Sequence, residues 1–250
     1  MKNIIDLTNK TIVITGAASG IGRETAITIS SVGAKVVMLD IFLDGLNETL
    51  QLLEGKGHSI YVVDFSCVES LKTLVEKISE NEGSIDGLVH CAGISSRKPL
   101  NVLSKVGFDK LMDINFFSFV ELVKHFSKKG RMKDCCSIVA MSSISSTHGY
   151  KAKTEYCVSK AALDASVRCL ASELAPKRIR VNSIMPGDVN TPMGKKAREI
   201  AKDAGAETKN QPLGVTEPFE VANTIAFLLS DATKTITGSS LLIDGGATLI

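Results

Sequence analysis

Short apolar runs rich in β-branched residues recur along the chain, and longer stretches with helical spacing fill the gaps. The runs are Thr11–Thr15, Lys35–Asp40, Ser59–Asp64, Gly87–Cys91, Ser137–Met141, Arg180–Ile184 and Ser240–Ile243. Several are apolar throughout rather than alternating, which is the pattern of strands covered on both faces. The gaps predict helices over Gly20–Val32, Leu43–Glu54, Val68–Asn81, Ser104–Lys129, Thr154–Leu174 and Pro218–Leu229. In the last of these, Val221, Ile225, Leu228 and Leu229 share one face. Alternation of this kind predicts an α/β fold, a doubly wound parallel seven-stranded sheet with helices on both faces, because parallel neighbours need crossover connections. Ligands of such sheets sit at the carboxyl ends of the strands. Residues just past each strand are therefore the first candidates for chemistry.

Composition narrows the picture. The 250 residues are 44% hydrophobic and 22% charged, without a linker, low-complexity tract or repeat, which predicts a single domain over 1–250. A net charge of +2 asks for neither nucleic acid nor an anionic membrane as partner. Met1 to Lys10 is too polar and short for a signal peptide, and no apolar run is long enough to cross a bilayer, so a cytoplasmic protein is expected. The six cysteines, Cys67, Cys91, Cys135, Cys136, Cys157 and Cys169, show no CxxC or zinc spacing. They read as reduced thiols serving as small buried hydrophobes, with no metal site.

The first strand runs into Thr15-Gly16-Ala17-Ala18-Ser19-Gly20-Ile21-Gly22, and a helix follows. Glycines let backbone approach a phosphate, and the helix N-terminus presents free N–H groups and partial positive charge to a pyrophosphate. Strand, turn and helix together predict a Rossmann-like dinucleotide site. Asp40 closes the second strand 18 residues beyond Gly22. A carboxylate there accepts from both adenosine ribose hydroxyls and repels a 2′-phosphate. The spacing T-G-x-x-x-G-x-G resembles that of the short-chain dehydrogenase/reductase family. Family members that use NADP often carry a basic residue where this chain has Ser19. Asp40 and Ser19 together favour NAD over NADP.

Tyr156-Cys157-Val158-Ser159-Lys160 lies on a predicted helix, and residues at i and i+4 share a face. A phenol with a pKa of about 10 is a poor base near neutrality, and a neighbouring cation favours phenolate. Such a pair can exchange a proton with a substrate oxygen. The same spacing also arises by chance on a helix surface. The family resemblance adds Ser143, 13 residues upstream at the usual spacing for the substrate-orienting serine, over its neighbours Ser142, Ser145 and Ser146. It implies that Asn115 holds a water relaying protons to Lys160, and that Lys160 also meets the nicotinamide ribose. It assigns Asp64, with Phe65 after it, to the adenine, and Cys91-Ala92-Gly93 to the adenosine ribose. It assigns Pro186, Gly187, Val189 and Thr191 to the nicotinamide carboxamide. The family usually has Asn-Asn-Ala-Gly where this chain has His90-Cys91-Ala92-Gly93, so His90 reads as a structural replacement rather than a base. Asp244-Gly245-Gly246 completes the resemblance, which covers about Asn9 to Ala247.

Asp188 to Val215 is the expected lid. Its Lys195, Lys196, Arg198, Lys202 and Lys209 fit either a phosphorylated or carrier-bound substrate or a solvated amphipathic helix. Lys128 to Lys133 forms a second basic cluster on an expected helix–strand loop. The Leu111–Phe126 stretch is apolar on several faces, which predicts burial at a subunit interface and a homodimer or homotetramer. The resemblance implies an oxidoreductase moving a hydride between NAD(H) and a small-molecule carbonyl or secondary alcohol, with Tyr156 as acid/base. The alternatives are a 3-oxoacyl-[acyl-carrier-protein] reductase using NADPH, whose substrate is an acyl thioester, a sugar epimerase or dehydratase of the family's longer branch, and a non-catalytic dinucleotide-binding protein.

Overall fold

The computed structural model describes residues 5–200 and 211–249. Seven strands, β1 Thr11–Thr15, β2 Lys35–Asp40, β3 Ser59–Val62, β4 Ile85–His90, β5 Met132–Met141, β6 Arg180–Pro186 and β7 Ser240–Ile243, form the sheet. All pair in parallel, in the order β3-β2-β1-β4-β5-β6-β7. Strand order reverses between β1 and β4, and a reversal of this kind opens a crevice at the carboxyl ends of the strands.

The helices are α1 Gly20–Ser31, α2 Leu43–Gln51, α3 Leu71–Glu82, α4 Lys105–Met112, α5 Ser118–Phe126, α6 Thr154–Leu174, α7 Pro192–Ile200 and α8 Pro218–Leu229. Alternate strand residues feed two separate apolar layers. Val13, Val37, Leu88, Ile138 and Val181 pack with α3, α5 and α6. Ile12, Ile14, Val36, Val89 and Ile184 pack with α1 and α8 on the other face. A sheet buried on both sides has no solvated face, which is why its strands read as continuous apolar runs.

Three expectations need correction. The predicted helix Ser104–Lys129 is three segments: α4, a π-helical turn over Asp113–Phe117, and α5. Strand β5 begins at Met132, not Ser137. Cys135 takes a left-handed φ of 65°, and the β4–β5 register shifts between Ile85 and Gly87, so a bulge interrupts the pattern and places Met132 and Lys133 on the strand. Helix α7 fills the first part of the expected lid. Thr191 starts it by accepting a hydrogen bond from the Gly194 N–H at 3.0 Å, and Pro192 occupies the first helical position. Lys195 and Lys196 are exposed on it, whereas Lys202 and Lys209 lie outside the described residues. Finally, Cys67, Cys135 and Cys169 are exposed thiols, so only part of the cysteine set is buried.

Candidate active site

A cleft of about 740 Å³ runs along the carboxyl ends of β1, β2, β4, β5 and β6. At its β1 end the wall is backbone. Gly16 and Gly20 hold left-handed φ values of 69° and 55°, a region that disfavours side chains. A Cβ on Gly16 would stand 2.8 Å from the Ala92 nitrogen, and one on Gly22 would run into the Gly16 carbonyl oxygen. Ser19 precedes α1 without a side-chain cap, so the first-turn N–H groups of α1 remain available, the arrangement that receives a phosphate. These residues fit the diphosphate of a dinucleotide.

Asp40 is fixed at the end of β2. Its Oδ2 accepts from the Ala18 N–H at 3.0 Å and its Oδ1 from the Phe42 N–H at 3.1 Å, and each oxygen keeps a further lone pair. Ile41 and Phe42 beside it are exposed apolar side chains on the cleft wall. Asp64 lies two residues past β3, not at its end. Hydrogen bonds from the Ser66 hydroxyl and N–H hold its carboxyl below the usual range. Phe65 is buried, edge-on to the His90 ring at 6.1 Å.

His90 is wholly buried and does not line the cleft. Thr15 Oγ1 accepts from the Ala92 N–H at 2.9 Å, which leaves its proton for His90 Nδ1 at 3.0 Å. The ring proton then sits on Nε2, facing Ser118 Oγ at 3.4 Å. Burial, and then the Lys160 charge, pull His90 down to about 3. Next to it, burial pushes the Cys91 thiol up to about 12.

At the β5 end the wall is side chains. Ser143 and Ser142 are adjacent, yet they serve different ends. Ser142 Oγ donates to the buried Asp164 carboxylate at 2.8 Å, and Ser183 donates to the other oxygen at 2.7 Å. Ser143 Oγ accepts from the Ser145 N–H at 3.1 Å and caps the short turn Ile144–Ser146. Tyr156 and Lys160 share one face of α6, with the Lys160 ammonium 5.8 Å from the Tyr156 ring centroid. Lys160 donates to the Met141 carbonyl at 2.7 Å. Burial pulls it down to about 8, with Asp164 acting in the opposite sense.

Of the residues singled out from sequence, all those assigned to cofactor or chemistry line this cleft except Asn115. Asn115 stands one layer back on the π-helical turn, fully buried. It accepts from the Ile94 N–H and donates to the Ile94 carbonyl and to Ser159 Oγ at 2.8, 3.0 and 2.9 Å. A Cβ on Gly93 would lie 3.2 Å from Asn115 Oδ1 and 3.5 Å from Lys160 Nζ, so both groups converge on the one spot that glycine keeps open. The sequence reading missed Asp164, Gln211, Tyr150 and Lys153. Lys153, three residues before Tyr156, was within reach of helical spacing. Gln211, which accepts from the Asp188 N–H at 3.0 Å, carries no local signal. Arg198 Nη1 donates to both Asp188 carboxylate oxygens, at 2.7 and 2.8 Å, so one lid cation serves structure. Among the described residues no His/Cys/Asp/Glu group is placed to hold a metal, and no helix is long and apolar enough to cross a membrane.

Residues 16–248 match a family model described as Enoyl-(Acyl carrier protein) reductase. The chain is 35% identical over 246 residues to a 3-oxoacyl-[acyl-carrier-protein] reductase FabG of Thermotoga maritima, covering 96% of this chain and 98% of that one. It is also 35% identical to an NAD-dependent glycerol dehydrogenase of Listeria innocua, covering 98% and 96%. A dehydrogenase/reductase from Sinorhizobium meliloti superposes with a TM-score of 0.88 at 29% identity, covering 97% and 96%. The chain belongs to the short-chain dehydrogenase/reductase family. That makes it a member of an oxidoreductase family that acts on alcohols and carbonyls with nicotinamide dinucleotides.

Proposed function

We propose that this protein is an NAD(H)-dependent dehydrogenase/reductase of a carbonyl or secondary alcohol, with Tyr156 as acid/base. The observation that carries the reading is that Ser143, Tyr156 and Lys160 line the same cleft as the glycine turn. When bound, the reduced nicotinamide supplies the hydride. In the reductive direction Ser143 orients the substrate oxygen, and Tyr156 gives its phenolic proton to that oxygen as the hydride reaches the carbon. Oxidation runs the same transfers in reverse. Lys160, cationic below about 8, favours the phenolate left behind. Asn115, through Ser159 and the Gly93 opening, holds this arrangement from behind. His90 is structural, because a neutral, buried ring outside the cleft wall has no path to the substrate.

Preference for NAD over NADP rests on Asp40, whose fixed carboxylate meets a ribose 2′-hydroxyl well and a 2′-phosphate badly. Acyl-carrier-protein reduction with NADPH is the second reading, favoured by the FabG relative. Phe117 on the π-helical turn and Val106 in the first turn of α4 keep their side chains exposed, which supports a homodimer or homotetramer; light scattering showing only monomer at micromolar concentration would refute that. The deciding experiment is steady-state turnover of a panel of alcohols, sugars, hydroxysteroids and 3-oxoacyl thioesters with both cofactors. A kcat/KM advantage for NAD(H) of about tenfold, roughly 1.4 kcal/mol, is expected. An advantage for NADPH on acyl thioesters overturns the assignment of Asp40.

A further inference from the structure

The reaction leaves one buried carboxylate unused. Asp164 is 5% exposed and lies four residues past Lys160 on α6, so phenol, ammonium and carboxylate follow one another in four-residue steps at Tyr156, Lys160 and Asp164. Its two oxygens reach the sheet at different strands. Oδ2 accepts from Ser142 Oγ at 2.8 Å, just past β5, and Oδ1 accepts from Ser183 Oγ at 2.7 Å, on β6. With its proton given to Asp164, Ser183 Oγ accepts from Ser240 Oγ of β7 at 2.8 Å. One carboxylate thereby links α6 to three neighbouring strands.

Ser142 sits between two positions that bear on the chemistry. The carbonyl before it, on Met141, accepts from Lys160 at 2.7 Å, and the residue after it is Ser143. Its own N–H donates to the Ile184 carbonyl at 2.8 Å, so the corner is tied to β6 as well as to α6. A neutral amide could take the same two serine hydroxyls, because a hydroxyl both donates and accepts. What the carboxylate adds is charge, and a buried charge is costly unless it is paired. Its counter-charge is the Lys160 ammonium, on which the Asp164 charge acts against the effect of burial. The other groups around Lys160 come from three elements. At the end of β4, His90 is held neutral at about 3 and the Cys91 thiol at about 12. The Asn115 amide converges from the π-helical turn, and the Tyr156 phenol lies one turn earlier on α6.

We infer that Asp164 is a positioning residue of the reaction, which fixes the Met141–Ser143 corner and supplies the counter-charge to the Lys160 ammonium; the inference rests on the dehydrogenase reading above. Asp164 touches neither substrate nor cofactor and acts through its two neighbours. Through Ser142 it sets where the Ser143 hydroxyl stands. Through its charge it extends the range of pH over which Lys160 stays cationic beside the phenol.

Two variants separate charge from geometry. Asp164→Asn keeps the size and both hydroxyl contacts but removes the charge. In the reductive direction, the alkaline limb of its kcat–pH profile should move to lower pH by about one unit, because Lys160 loses its proton sooner. Ser142→Ala keeps the charge and cuts the tie to the corner. It should lower kcat by about tenfold, with KM little changed and the alkaline limb in place. A third readout needs no turnover: an NMR titration of protein labelled with ¹³C at the lysine Cε, the Lys160 signal being assigned by its loss in Lys160→Met. Its midpoint should lie near 8 in the wild type and about one unit lower in Asp164→Asn. A midpoint and a limb that both stay put in Asp164→Asn overturn the counter-charge role. Normal kcat in Ser142→Ala overturns the hold on the corner, and it decides that point even where Asp164→Asn does not fold. Absence of turnover with both cofactors defeats the dehydrogenase reading, and the lysine titration still decides whether Asp164 governs the Lys160 charge.

Discussion

Around the β1–α1 turn the cleft wall is main chain. Gly16 and Gly22 touch other backbone atoms so closely that a single added carbon collides, and the groups offered to a ligand are N–H donors. Around α6 the wall is made of hydroxyls, an ammonium and phenols, held by hydrogen bonds to Met141, Asp164 and Ser145. The first end is specified by what cannot be there, the second by what must be. Substitutions should therefore fail differently: at the turn through geometry and folding, at α6 through chemistry with the fold kept.

Tyr156→Phe is the sharpest way to break that contrast. Removing the transferable proton while keeping the ring should lower kcat by about 10²–10⁴-fold, roughly 3–5 kcal/mol of barrier. Thermal stability and NADH affinity, read by melting and fluorescence titration, should barely change. Near-normal turnover in this variant, with His90→Asn inactive, would transfer the base role to His90. Gly22→Ala should do the reverse. Forcing a methyl into the Gly16 carbonyl should cost about 1–3 kcal/mol of stability, and NADH binding should be lost along with activity. A Gly22→Ala protein that melts and binds like the wild type would show that the turn is looser than its backbone contacts indicate.

Sequence legibility follows the same division. The turn, Asp40 and strands β1, β2 and β7 could be read directly, because steric need and two-sided burial leave local marks. The choice between Ser142 and Ser143 could not be made from neighbouring residues alone. What separates the two in the fold is Asp164, 22 residues after Ser142, which takes the Ser142 hydroxyl; the family spacing names Ser143 on other grounds. The bulge at Cys135 hid the start of β5, since a left-handed residue breaks the strand pattern without a glycine to mark it. The basic lid was ambiguous because Arg198 and its exposed neighbours look alike in sequence, and only the Asp188 contact separates them.

A third test concerns His90, which bridges Thr15 at the end of β1 and Ser118 at the start of α5. With a folded value of about 3 against an ordinary 6.5, the unfolded chain binds more protons between those limits. Stability should fall as pH drops through that window, by up to about 1.4 kcal/mol per pH unit from this group. Urea titrations at pH 7 and pH 5 should show a smaller acid loss in His90→Asn. An unchanged slope would mean that the ring is not held neutral. The smallest expected effect is at Asp40. Asp40→Ala should relax cofactor preference by about tenfold or less, measured as the ratio of kcat/KM for NADH and NADPH. An unchanged ratio would place the discrimination elsewhere on the turn.

The π-helical turn at Asp113–Phe117 acts as a phase shifter. An α-helix advances about 100° per residue, so one inserted residue rotates everything after it by that amount. Here the rotation lets Leu111 of α4 and Phe119, Leu122, Val123 and Phe126 of α5 all point into the core, while Asn115 takes the inward position between them. Deleting one residue from the turn would restore a regular helix at the cost of that phase, since either Asn115 or the α5 core face would have to swing away. The chain can therefore change residues here more easily than it can change length, and a one-residue gap in this segment would mark a protein whose site is assembled in another way.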